Sequence, residues 1–86
     1  MHVEIYTRPG CGFCDKTKDL LRSGNIPYIE NRLDVDFTRE ILVEKYSTAK
    51  TYPVIVVDGF YIGGYNELSA FMEERVRNTK TLLIGD

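Results

Sequence analysis

Thr7-Arg8-Pro9-Gly10-Cys11-Gly12-Phe13-Cys14 is the stretch on which the reading of this 86-residue chain turns. Before it, His2 to Thr7 alternates, with Val3, Ile5 and Thr7 on one face, which predicts a strand. Arg8-Pro9-Gly10 breaks that pattern, since Pro and Gly together mark a loop. From Gly12 to about Arg22, Phe13, Thr17, Leu20 and Leu21 recur at spacings of three and four, which predicts a helix. Ser23-Gly24-Asn25 supplies its stop. The two cysteines therefore stand where a loop enters a helix.

Outward from there, Ile26 to Asn31 is expected as a second strand and Leu33-Asp34-Val35-Asp36 as a connection. Thr38 is placed to cap a short helix to about Tyr46, burying Ile41, Leu42 and Tyr46 on one side. Pro53-Val54-Ile55-Val56-Val57 is a nearly continuous β-branched run, the pattern of a buried central strand. Asp58-Gly59 is a strong hairpin signal, so Phe60-Tyr61-Ile62 pairs back antiparallel. After Gly63-Gly64, a last helix is expected from about Asn66 to Asn78, with Leu68, Phe71, Met72 and Val76 as its apolar stripe. The order β-α-β-α-β-β-α begins with a right-handed βαβ crossover, so its two strands are parallel. The expected fold is α/β: a four-stranded mixed sheet flanked by three helices, in one domain over residues 1–80 with a tail at 81–86.

Composition narrows the function classes. At 43% hydrophobic and 28% charged the chain has the make-up of an ordinary globular protein. A net charge of −2 argues against a general nucleic-acid or membrane-surface binder. No apolar run approaches the roughly 20 residues of a membrane helix. Met1 to Tyr6 lacks the basic region and apolar stretch of a secretory signal, so a reducing cytoplasmic setting is expected; separately, the chain is expected to be a monomer. In such a setting a cysteine pair is more often redox-active or metal-binding than a structural staple.

Cys11 falls at or near the helix N-cap, where backbone N–H groups are unpaired and the dipole is positive. A thiolate is favoured there, so the Cys11 thiol is expected well below its ordinary range. Arg8 adds a cation; Asp15 opposes it. Such a lowering raises the thiolate fraction at neutral pH roughly 30-fold, while nucleophilicity falls by about the same factor. Attack gains little; departure of Cys11 from a mixed disulfide gains more. Cys14, one turn on, either closes an intramolecular disulfide or stays inert while a second thiol resolves the intermediate. Three other readings compete. A structural disulfide across so short a loop removes little chain entropy. A zinc site needs four ligands, and the chain offers two cysteines and a distant His2, so no metal site is expected. Two buried, unreactive cysteines are the third.

With Thr7 to Cys14, Thr51-Tyr52-Pro53 and Ile62-Gly63-Gly64-Tyr65-Asn66-Glu67, the chain resembles the glutaredoxins over about residues 2 to 79. The resemblance implies a thioredoxin-like fold and a glutathione-disulfide oxidoreductase with Cys11 and Cys14 as catalytic residues. It implies a cis bond before Pro53 that turns the Tyr52 N–H and C=O toward the substrate, against an ordinary trans strand-start proline. It places the γ-glutamyl end of glutathione at Gly63-Gly64, with Tyr65, Asn66 and Glu67 around it; the alternative is a Gly-rich turn with Asn66 as a plain N-cap. Glu67 faces the glutathione amino group in this comparison. Arg8 and Lys50, beside Thr51, match positions where the family has cations for the glycyl carboxylate, against solvated surface charges. Phe13 replaces the family's tyrosine and covers the site rim.

Gly12 departs from the proline of dithiol glutaredoxins and matches the monothiol branch. In some relatives a non-proline loop accompanies a [2Fe–2S] cluster held between two subunits by the first cysteines and two glutathiones, which makes a cluster-binding dimer the alternative function. A redoxin reduced by thioredoxin reductase is the third. Disulfide-containing proteins, with ribonucleotide reductase as an example, are the partners the resemblance implies.

Overall fold

The computed structural model describes residues 1–74 of the chain. Its elements are β1 (Val3–Thr7), α1 (Gly12–Ser23), β2 (Tyr28–Arg32), α2 (Arg39–Lys45), β3 (Val54–Val57) and β4 (Phe60–Gly63). A third helix, α3, runs over residues 65–74. The sheet order is β2-β1-β3-β4. β1 pairs parallel with β2 from Val3↔Tyr28 to Thr7↔Arg32, and antiparallel with β3 from Val3↔Val57 to Tyr6↔Val54. β3 and β4 form the antiparallel hairpin. Asp58 and Gly59 both take positive φ, 51° and 86°, as a two-residue turn matched to the strand twist demands. The expected mixed sheet with helices on both faces is the observed one.

Strand alternation sorts the core into two clusters. Val3 and Ile5 of β1 and Ile55 and Val57 of β3 pack against Leu21 of α1 and Leu68 of α3. On the opposite face Tyr6, Val54 and Val56 meet Phe37, Leu42 and Ala49, with Tyr46 and Tyr52 alongside. Tyr6 stacks edge-on against Phe37 at 5.1 Å. Burial, then the proximity of Tyr46 and Glu4, pushes its hydroxyl up to about 12, so it stays neutral.

The differences from the expected boundaries have local causes. β2 starts at Tyr28 rather than Ile26, because the Ile26 N–H closes α1 by donating to the Leu21 carbonyl at 2.9 Å. Pro27 then offers no donor. The left-handed residue of that stop is Asn25, at φ 55°, rather than Gly24. Thr38 caps α2 as expected, its hydroxyl accepting from the Ile41 N–H at 3.3 Å. Ile41 itself is 57% exposed, against expectation. A seven-residue helix turns only one line inward, Leu42 with Tyr46 four residues on, and Phe37 before the cap fills the remaining space. β3 begins at Val54, after a proline that cannot donate to the ladder, and β4 extends to Gly63 opposite Ile55. α3 starts at residue 65, one before the expected Asn66, so Asn66 lies inside the helix and is not its cap. Residues 75–78 of the expected helix, with Val76, and the expected tail at 81–86 lie outside the described residues.

Candidate active site

Cys11 is the N-cap of α1, with extended backbone, and its sulfur accepts from the Cys14 N–H at 3.1 Å. The first-turn amide is thus spent on sulfur, the arrangement that favours negative charge there. Cys11 and Cys14 are joined as a disulfide, their Cα atoms 5.2 Å apart. Both are buried, Cys14 more deeply at 2% exposed. Thr17, wholly buried beneath, donates its hydroxyl to the Phe13 carbonyl at 2.8 Å and fixes the turn from below.

Among the described residues three depressions adjoin the segment Arg8 to Cys14, one of them lined by the cysteines themselves. The first is a groove of about 270 Å³ lined by Phe13, Thr51, Tyr52, Pro53, Gly64, Tyr65, Asn66 and Glu67. The Tyr52–Pro53 bond is cis. The Phe13 and Tyr65 rings lie 5.8 Å apart across it. Beside Tyr65 the Gly64 N–H donates to Glu67 Oε1 at 2.7 Å, half of a capping box at the start of α3. Gly63 is required by its backbone, while Gly64 leaves room for no more than an ordinary contact. A Cβ on Gly63, at φ 127°, would lie 2.5 Å from Glu67 Cγ, and one on Gly64 would lie 3.4 Å from the Pro53 carbonyl oxygen. Gly63 is buried at the strand end and does not line the groove.

The second depression, about 350 Å³, joins Arg8 and Lys50 with Thr51, Tyr52 and Arg39 over an apolar floor of Leu42, Val43 and Ala49. The Arg8 guanidinium carbon stands 6.0 Å from the Tyr52 ring centroid. Arg39 has no place in the sequence reading; its position at the start of α2, one residue after the Thr38 cap, is the signal that points to it.

The third, about 280 Å³, lies against the disulfide and contains Thr7, Arg8, Cys11, Cys14, Asp15, Lys18, Glu30 and Arg32. Glu30 Oε2 accepts from the Thr7 hydroxyl at 2.8 Å and from Lys18 Nζ at 3.3 Å, and Arg32 Nε lies 3.9 Å from Oε1. Burial raises the Glu30 carboxyl, but the hydrogen bonds from Thr7 and Lys18 and the charges of Lys18 and Arg32 outweigh it and hold it below its ordinary value. Sequence reading missed Lys18, Glu30 and Arg32. Lys18 is legible afterwards, four residues beyond Cys14 on the same helix face.

No three His, Cys, Asp or Glu side chains converge to hold a metal among the described residues.

A cysteine pair at the start of the helix that follows a central strand, faced by a cis proline, defines a thioredoxin-fold thiol–disulfide oxidoreductase. The glutaredoxin family model matches residues 3–62. Glutaredoxin 3 of Escherichia coli K12 is 35% identical over 69 residues, covering 80% of this chain and 83% of that one. An uncharacterised glutaredoxin-like 8.6 kDa protein of the Clostridium pasteurianum rubredoxin operon is 34% identical over 65 residues, covering 76% and 87%. Among solved structures, glutaredoxin 1 of Francisella tularensis, complexed with cacodylate, superposes with a TM-score of 0.75 at 29% identity, covering 88% of this chain and 96% of that one. The chain belongs to the glutaredoxin family.

Proposed function

We propose that this protein reduces protein disulfides and glutathione mixed disulfides with glutathione as the electron donor, through Cys11 and Cys14. The Cys11 thiolate attacks the substrate disulfide, expelling one thiolate and leaving Cys11 in a mixed disulfide. On protein disulfides Cys14 attacks Cys11 Sγ and expels the second product thiolate, and two glutathiones then reduce the Cys11–Cys14 bond, leaving as glutathione disulfide. On glutathione mixed disulfides Cys11 keeps the glutathionyl group. A second glutathione thiolate attacks its glutathione sulfur, forming glutathione disulfide and expelling the Cys11 thiolate. The observation that carries this reading is the groove running from Phe13 past the cis Tyr52–Pro53 bond to the Gly64–Glu67 turn. An extended γ-glutamyl tripeptide fits it: the Tyr52 backbone meets the cysteinyl residue and the first-turn amides of α3 receive the γ-glutamyl carboxylate. Gly63 keeps that turn tight, and Glu67, anchored at the Gly64 amide, faces the amino group. Arg8 and Lys50 take the glycyl carboxylate. Residues 1–80 act as one domain, a monomer in the cytoplasm, with ribonucleotide reductase among the protein disulfides it serves.

A glutathione-linked assay with purified variants tests the scheme. Cys11→Ser abolishes reduction of a small glutathione mixed disulfide. Cys14→Ser retains that activity and loses reduction of protein disulfides that need both thiols. Retained activity in Cys11→Ser, or equal losses on both substrates in Cys14→Ser, overturns it. Offering thioredoxin reductase as the sole electron source gives no turnover; turnover with it and none with glutathione would replace the donor.

A further inference from the structure

The cavity on the far side of the disulfide shares Arg8 alone with the proposed glutathione site, and it gathers charged side chains around a wall that includes Cys14, the more deeply buried cysteine. Cys14 and Lys18 are one turn apart on α1, and Lys18 Nζ reaches Glu30 Oε2 on β2 at 3.3 Å. Both side chains are about one-fifth exposed, 21% and 18%, which is deep for a lysine and a glutamate in a chain this small. Glu30 is also held by the Thr7 hydroxyl, so the pair is fixed from three elements. The charged groups facing the cavity are Arg8 from the loop, Asp15 and Lys18 from α1, and Glu30 and Arg32 from β2.

We propose that Lys18 and Glu30 are positioning residues that set the proton affinity of Cys14, and with it the rate at which the intramolecular disulfide closes. The inference rests on the dithiol route of the proposed function. In that step the Cys14 thiol gives its proton to water. Its thiolate attacks Cys11 Sγ in the mixed disulfide, the Cys11–Cys14 bond forms and the bond from Cys11 to the substrate sulfur breaks. The departing substrate thiolate keeps the electron pair and takes up a proton from water. Across the whole cycle two electrons pass from the two cysteines to the substrate disulfide. The Lys18 ammonium favours the Cys14 thiolate and the Glu30 carboxylate opposes it; held together they balance, and loss of either exposes the other.

The reduced Cys11→Ser protein, whose sole thiol is Cys14, isolates the effect. Its thiolate is followed by ultraviolet absorbance across a pH titration, so neither glutathione nor substrate enters, and failure here is distinct from failure of the glutathione reading. In that background Lys18→Gln moves the midpoint up and lowers the thiolate fraction at neutral pH about tenfold. Glu30→Gln moves it down and raises that fraction by a comparable factor. Lys18→Arg, which keeps the charge, stays within about twofold of the parent. Both glutamine variants break the same ion pair, so a merely structural role moves them in one direction. Shifts of the same sign, changes under about twofold in both, or failure of Lys18→Arg to restore the midpoint overturn the proposal.

Discussion

On the groove side of the Cys11–Cys14 disulfide the walls are backbone and rings: Phe13, Tyr65, the cis Tyr52–Pro53 bond and the Gly64 turn, with Glu67 as the one charged side chain. On the far side five charged side chains, Arg8, Lys18 and Arg32 against Asp15 and Glu30, stand among Pro9, Gly10, Leu33 and Val35. The first side suits a ligand recognised through its own backbone, since rings and main-chain donors give shape and direction without a strong field. The second suits control of the sulfur atoms, because fixed charges around a buried thiol act on its proton whatever the substrate. On the proposed reading the fold divides recognition from tuning by the direction from which each reaches the same pair of sulfurs, with Arg8 lining both the charged cavity and the depression beside Lys50.

That division can be broken at several strengths. Leu68, 1% exposed, ties α3 to the sheet, and α3 supplies one wall of the groove and none of the charged cavity. Leu68→Ala is expected to cost about 2–5 kcal/mol in denaturant unfolding and to raise the KM for glutathione substrates. The Cys14 titration should stay where it was. Gly63→Ala acts more locally: the residue sits at φ 127° and its new methyl meets Glu67 Cγ. It is expected to cost about 1–3 kcal/mol and to dislodge Glu67 from the Gly64 amide, which a fall in glutathione affinity reports.

On the charged side, Glu30→Gln is expected to lower stability at neutral pH by about 1 kcal/mol, through weaker hydrogen bonds to Thr7 and Lys18. The sign with pH follows from the direction of the shift. Glu30 is held below its ordinary value of 4.5, so its stabilisation is present above that pH and is lost as the pH falls through the folded-state value. Denaturation midpoints of wild type and Glu30→Gln therefore converge on acidification; a gap constant from neutral to acid pH contradicts the assignment. The smallest effect is at Gly12. It is the first residue of α1, a Cβ there meets nothing within 4 Å, and its φ is ordinary. Gly12→Pro is expected to stabilise by about 0.4–1 kcal/mol, read as a small rise in Tm, and to leave both sides of the disulfide in place.

Much of the groove was legible because its determinants are local. A cysteine pair after Pro-Gly, a proline before a β-branched run and a glycine pair before a helix each carry their meaning within a few residues. The charged cavity was not, because it depends on β2 lying beside β1 with Ile5 opposite Glu30, a register no short window contains. Lys18 was visible as a neighbour of Cys14 and, at three residues, of Asp15, whose carboxylate it approaches to 3.7 Å, but its tighter partner Glu30 needed that register. The error at Ile41 has another cause: in a helix of seven residues the apolar pattern is too short to fix the buried line, and Phe37 before the cap competes for the same space. Asn25 was read only as part of a stop, although its side chain type is the one most tolerant of left-handed backbone after glycine.

β2 has one further consequence. Among the described residues it is the outer strand of the sheet next to β1, an edge whose Arg32 N–H is taken by Asp36 Oδ2 at 2.8 Å. Pro27 stands immediately before it, and Glu30 and Arg32 project along its five residues. A second strand seeking to add there meets a missing donor at one end and formal charge at the other, the features by which open edges resist self-association. Glu30 and Arg32, which line the cavity beside the cysteines, thus also put charge on the outer strand, where an added strand would have to strip water from it.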